Sequence, residues 1–107
     1  MSFGSQTFRG RSTIEASSTP KIYNLVSPVA INTEFSQLLS DGVKRLIIRS
    51  RGNGELKVSF QLGNSGTEYI TIPCGATYSE ENLNLNGVTL YLQTNKSAEV
   101  VEILEWT

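Results

Sequence analysis

The stretch Glu55-Leu56-Lys57-Val58-Ser59-Phe60-Gln61-Leu62 sets an apolar side chain at every second position and a polar one between. An extended strand, whose side chains alternate between its two faces, turns that order into one apolar face and one wet face. Working outward, Val88, Leu90 and Leu92 repeat the pattern against Thr89, Tyr91 and Gln93, and Ile70 and Ile72 alternate with Tyr69 and Thr71. The centre of the chain, residues 56–92, is therefore built of strands.

Turn chemistry divides the rest. Gly52-Asn53-Gly54 tolerates positive φ and is expected to close a hairpin between residues 43–51 and 55–62. Gly63-Asn64-Ser65-Gly66 reads as a tight connection into residues 69–72, and Pro73-Cys74-Gly75 ends that strand. Residues 76–78, the pair Leu83 and Leu85, and a turn at Asn86-Gly87 lead into residues 88–93. Before them, residues 21–26 suit a short strand that Ser27-Pro28 stops or confines to an edge, since proline has no ladder donor. Residues 31–39 fit a helical turn about as well as a strand, but Asp41-Gly42 leading into Val43-Lys44-Arg45-Leu46-Ile47-Ile48 favours a strand or loose turn.

No segment sustains a helical period, and helices do not alternate with strands. The expected fold is all-β, an antiparallel β-sandwich or closed barrel of about seven or eight strands, with jelly-roll and immunoglobulin-like connections both open. At 107 residues the chain makes one domain, which buries roughly 60–70% of its unfolded surface. That domain is residues 21–107.

Residues 1–20 read instead as an extended N-terminal arm, because Ser, Thr, Gly and Gln dominate and Phe3, Phe8 and Ile14 show no period. Alone in water the arm is expected to be mobile and to gain order from a neighbouring protein chain, with Phe3 and Phe8 as apolar anchors and Arg9 and Arg11 as the polar contacts around them. The alternative is that it folds back on its own sandwich. The last strand, residues 100–106, has Val101 and Ile103 on one face and Val100, Leu104 and Trp106 on the other. A strand apolar on both faces needs a second cover, from a loop or a neighbouring subunit, which makes Val100, Leu104 and Trp106 candidate interface residues.

Composition excludes several functions. Nine Lys and Arg against ten Asp and Glu give a net charge of −1, so the folded body is not expected to hold nucleic acid strongly and nonspecifically. Charge is unevenly placed: Arg9 and Arg11 stand alone before Glu15, while Glu99, Glu102 and Glu105 close the chain without a base. Opposite ends of opposite sign can steer head-to-tail contacts between copies, or be ordinary solvated charge. The single Cys74 cannot form an internal disulfide and reads as structural. No apolar run reaches the length of a membrane span and the N-terminus lacks the apolar core of a leader, so the expectation is a soluble chain with no membrane partner.

Histidine is absent, which removes the usual general base and the commonest metal ligand. Glu80 and Glu81 are adjacent and would point to opposite faces of a strand, unlike the facing acids of a glycosidase. The reading is non-enzymatic, with no catalytic residue, cofactor or metal site. Arg45, Arg49 and Arg51 share a face of one strand near Lys44, which would suit an oligonucleotide surface, but the stronger reading is an ordinary solvent face whose field Glu55 and Glu68 weaken. Tyr69, Tyr78 and Tyr91 with nearby asparagines invite a glycan-binding reading, since rings stack on sugar faces and amides bind hydroxyls.

The segment Ile70-Thr71-Ile72-Pro73-Cys74-Gly75-Ala76-Thr77-Tyr78-Ser79-Glu80-Glu81, then Leu83-Asn84-Leu85-Asn86-Gly87-Val88-Thr89-Leu90-Tyr91-Leu92-Gln93 and the closing Val101-Glu102-Ile103-Leu104-Glu105-Trp106, resembles small β-sandwich virion proteins of tailed bacteriophages. With residues 49–60 the resemblance covers a little over half of the chain and lies in strand-and-turn wording, without catalytic residues; the arm has no counterpart in it. It implies a structural protein of the virion, assembled in the host cytoplasm, that decorates or cements the head or serves in the neck or tail. Its partners would be other virion structural proteins and further copies of itself. The rival reading is a small carbohydrate-binding module for host attachment.

Overall fold

Residues 19–107 are described by the computed structural model. The arm's proposed anchors Phe3, Phe8, Arg9 and Arg11 lie outside the described residues. The strands are β1 (Lys21–Val26), β2 (Phe35–Leu38), β3 (Arg45–Ser50), β4 (Leu56–Ser59), β5 (Ile70–Ile72), β6 (Thr77–Glu80), β7 (Thr89–Thr94) and β8 (Val100–Trp106). They form two four-stranded sheets, a first in the order β1-β8-β3-β6 and a second in the order β2-β7-β4-β5, and every pairing is antiparallel.

The order follows from nesting. β4 pairs with β5, β3 with β6, β2 with β7 and β1 with β8, as in one long hairpin whose tip is the β4–β5 connection. Folding that hairpin over itself sends alternate pairs into opposite sheets and brings β8 beside β3 and β7 beside β4. This is the jelly-roll arrangement rather than the immunoglobulin one.

The inward side chains are aliphatic and come from both sheets: Leu46, Ile48, Val101 and Ile103 from the first, Leu56, Val58, Ile72, Leu90 and Leu92 from the second, closed at one end by Leu39 and Val43. Strand alternation supplies this core directly, because register partners such as Ile48 and Ile103 share a face. Glu105 is on the same face of β8 and is fully buried. Its carboxylate accepts from the Tyr23 hydroxyl at 3.0 Å and the Ser40 N–H at 3.1 Å, so both oxygens are satisfied.

Local expectations meet tertiary constraints at three places. Gly52-Asn53-Gly54 does not close a hairpin: β3 already has β8 and β6 on its two sides, so the chain crosses to the other sheet and β4 pairs elsewhere. The alternation of residues 55–62 stops at β4's end, where Ser59 is buried and its hydroxyl accepts from Gln61 N–H at 3.1 Å. The bend leaves Phe60 and Leu62 exposed instead of in the core. Residues 60–69 form a long looped connection, not a tight one. It carries its own turn, with the Thr67 and Glu68 N–H groups donating to the Asn64 carbonyl, and Gly63 at φ +81°.

Candidate functional site

Register builds the outer face of the first sheet row by row. Ile22 of β1 lies opposite Leu104 of β8, which lies opposite Ile47 of β3 and then Ser79 of β6. The next row outward-facing is Asn24, Glu102, Arg49 and Thr77, and beyond it Val26 stands opposite Val100. At the other end Trp106 is opposite Arg45, whose guanidinium stacks over the indole 4.6 Å from the ring centroid. Ile22 is 57% exposed and Val26 65%, while Ile47, Val100, Leu104 and Trp106 are half-buried. A sheet of this kind normally turns polar residues to solvent, so an apolar outer face is the feature that asks for a partner.

The three candidate interface residues of β8 therefore share one face of the first sheet, beside side chains of the neighbouring strands β1 and β3. The sequence reading missed Ile22, Val26 and Ile47 on that face. Alternation within β1 and β3 was a usable signal, but their alignment beside β8 is a matter of register.

The polar row is internally matched. Glu102 accepts from Arg49 Nε at 2.6 Å and from Arg51 Nε at 2.8 Å, and Arg51 also donates to Asn24 Oδ1 at 2.9 Å. Hydrogen bonds from Arg49 first and Arg51 second hold the Glu102 carboxyl below its usual range. Arg45 and Arg49 lie on the outer face of β3 as expected, and Arg51 joins Arg49 at Glu102; Arg49 and Arg51, without Arg45, line an open groove with Gly75, Ala76 and Thr77. Since Arg45 is stacked and the other two share one carboxylate, the field available to a polyanion is weak.

A second carboxylate fixes the loops beneath this face. Glu99, just before β8, accepts from the Ser50 hydroxyl, from Gly52 N–H at 2.7 Å and from Gly54 N–H at 3.2 Å. These bonds, the one from Ser50 foremost, lower its pKa. The loop glycines are thus needed for close approach rather than for positive φ: a Cβ on Gly52 would lie 2.5 Å from Glu99 Oε2, and one on Gly54 would lie 2.7 Å from Thr94 Oγ1. The backbone N–H groups of Gly52 and Gly54 thus hold the chain's own carboxylate. Ser27 ties β1 to the same corner, donating its N–H to the Glu99 carbonyl and accepting from Glu99 N–H, both at 2.8 Å.

A comparable clasp lies on the second sheet. Glu34 accepts from Ser65 Oγ at 2.5 Å, Gly63 N–H at 2.9 Å and Ser65 N–H at 3.1 Å, and the Ser65 hydroxyl accepts from Gln93 Nε2 at 3.2 Å. The Ser65 hydroxyl is the main cause of Glu34's lowered pKa.

The remaining candidates are scattered. Tyr78 is on the core side of β6, Tyr91 is on the second sheet opposite Ser59 and Ser36, and Tyr69 carries Lys57 Nζ 4.9 Å from its ring centroid. They do not make one stacking platform. Glu80 and Glu81 are both exposed and Cys74 is exposed in the turn between β5 and β6. Of the acidic C-terminal group, Glu99 and Glu102 are bonded as above and Glu105 is in the core, which leaves that end little free charge for steering a second copy. Among the described residues no cluster of His, Cys, Asp or Glu is disposed to hold a metal ion, and no helix is long and apolar enough to cross a membrane.

No family model matches the chain, and no curated protein does. Among solved structures it is similar to a de novo designed double-stranded beta-helix determined by solution NMR, with 14% identity over 84% of this chain and 100% of that one and a TM-score of 0.47.

Proposed function

We propose that this chain is a non-enzymatic structural protein of a tailed-bacteriophage virion, a head decoration or cement protein or a neck or tail component, which assembles with itself and with other virion proteins. The observation that carries the assembly part is the apolar outer face of the first sheet, where Ile22, Leu104 and Ile47 form one row, Val26 and Val100 another, and Trp106 stands at the end of β8. The virion part rests on the strand-and-turn resemblance of residues 49–60, 70–93 and 101–106. A jelly roll pinned at its loops by internal carboxylates suits a repeated component, because a rigid body loses little conformational entropy on docking. The carbohydrate-binding rival finds less support, since Tyr78 is on the core side of the first sheet, away from Tyr69 and Tyr91 on the second.

Mass spectrometry of purified particles together with a glycan array tests the reading. The chain is expected among the particle proteins, and the isolated monomer is expected to bind no sugar. Deleting residues 2–19 should leave the melting temperature nearly unchanged and weaken incorporation. Replacing Arg9 and Arg11 alone should give a smaller loss that fades with salt, since exposed charges are screened beyond roughly 10 Å at 0.1 M ionic strength. Sugar binding by a monomer that is absent from particles overturns the proposal.

A further inference from the structure

We infer that β1 is a self-pairing edge: a second copy of this chain adds its own β1 antiparallel along Lys21–Val26, about a twofold axis at Asn24, and joins two four-stranded sheets into one of eight. The inference deepens the assembly reading by naming the partner as an identical chain.

β1 is the outermost strand of the first sheet and pairs on its far side with no described strand. It has six residues, against four in β6, four in β2 and three in β5, the other edges. Proteins blunt exposed edges with charge, proline or a bulge, because unpaired N–H and C=O groups invite another chain. β1 has no such device between Ile22 and Val26: Lys21 is at its start, and Pro20 and Pro28 lie outside it.

Self-complementarity selects the register. In an isologous antiparallel pair, opposed residues share a face and their numbers have a constant sum. A sum of 48 places Ile22 opposite Val26 of the second copy, Asn24 opposite its own equivalent, and Tyr23 opposite Leu25 on the core side. Sums of 46 or 50 would instead set Asn24 against Ile22 or Val26, an amide against an apolar side chain. With the chosen register the apolar row Ile47–Leu104–Ile22 continues into Val26 and Val100 of the second copy, and its symmetry mate does the same in reverse. The two most exposed apolar side chains of the sheet thereby cover each other across the axis. The Arg49–Glu102–Asn24 row lies between these stripes and meets its own copy amide to amide. A single strand pair buries less than the ~1,200–2,000 Å² of a standard stable interface, so the solution dimer is weak and concentration-dependent, as suits a contact repeated many times in an assembly.

The test uses the full chain with Cys74→Ser. Sedimentation velocity over a micromolar-to-millimolar series should show a reversible dimer. Ile22→Lys with Val26→Lys sets like charges opposite one another and should weaken the dimer more than about tenfold. Ile22→Lys with Val26→Glu sets opposite charges together in this register and should retain it, with a new salt dependence. Both positions are more than half exposed, and equal melting temperatures verify that the fold is intact. Asn24→Cys should form a disulfide-linked dimer on mild oxidation, whereas Ser79→Cys on the opposite edge should not.

Equal association of the two charge variants, or equal cross-linking of the two cysteine variants, overturns the pairing. So does a full chain that is monomeric throughout but dimerises once residues 2–19 are deleted, since the edge is then occupied by the chain's own arm. A protein that enters particles while failing these tests overturns the edge pairing alone. One that dimerises as described yet is absent from particles overturns the virion reading alone.

Discussion

Gly52→Ala should be costly in the native chain and harmless once Glu99 is gone. The backbone at Gly52 is not among the positive-φ residues, so alanine is conformationally acceptable there. Its Cβ, however, would meet Glu99 Oε2 at 2.5 Å, Oε1 at 2.9 Å and Cδ at 3.0 Å. The side chain can swing away, so the steric term is small. What is lost is the set of bonds that the carboxylate accepts from Ser50, Gly52 and Gly54. A hydrogen bond to a charged group contributes roughly 1.5–3 kcal/mol where it is buried, but Gly52 is exposed and water can replace part of the set. The expected net loss is about 2 kcal/mol for the cluster, or roughly 8–16 °C in melting temperature for a domain of this size.

Glu99→Ala alone should cost about the same, because it breaks the same bonds. In that background Gly52→Ala has nothing left to displace, and restricting the unfolded chain should make it neutral or stabilising by about 0.4–1 kcal/mol. The double-mutant cycle is read by urea unfolding of the four proteins at pH 7, with coupling of about 2–3 kcal/mol expected. Gly52→Ala costing the same with and without Glu99 would refute the reasoning, and the glycine would then owe its place to the loop backbone.

Acid should destabilise the fold in a defined direction. Glu34, Glu99 and Glu102 have folded pKa values below the ordinary 4.5, so each binds its proton more readily when unfolded; their contribution is complete above the unfolded value and fades as pH falls through 4.5 toward the depressed ones. Melting curves between pH 7 and pH 3 check this, and Glu99→Gln should flatten part of the slope. Glu105→Ala should lower stability by about 2–4 kcal/mol, since it leaves the Tyr23 hydroxyl and Ser40 N–H without an acceptor and opens a cavity in the core; chemical denaturation measures it. Trp106→Ala should reduce assembly by about 2 kcal/mol or more if the ring is a central anchor, with the monomer still folded because Trp106 faces outward; unfolding of the monomer would assign the ring to the chain's own stability.

Strand positions were legible because they rest on local alternation: β1, β4, β7 and β8 are near where the period of two puts them, and residues 31–39 resolve as a turn followed by the short strand β2. Pairing was not legible in the same way. Gly52-Asn53-Gly54 has hairpin composition, but composition reports that a backbone is permissive, not which pressure requires it. Here the pressure is the Glu99 carboxylate, more than forty residues away in the chain. Glu105 shows the opposite failure, of a signal present but unused. Parity with Val101 and Ile103 assigns it to the core face, and grouping it with Glu99 and Glu102 as terminal charge obscured that.

The apolar outer face explains why the site was only half visible. A strand with apolar residues on both sides, such as β8, is read the same way whether its second face meets a loop, a neighbouring strand's side chains or another molecule. What separates these cases is the identity of the residues alongside, and that depends on β1 and β3 flanking β8 with Ile22 and Ile47 level with Leu104. Such alignment needs pairings that join the two ends of the chain, the least local contacts in the fold. Glu99 lies where those ends meet, bonded through its carboxylate to the loop after β3 and through its backbone to Ser27 at the end of β1. The same residue therefore holds in place three of the strands that carry the apolar face, and a loss of its bonds should loosen that face before it exposes the core.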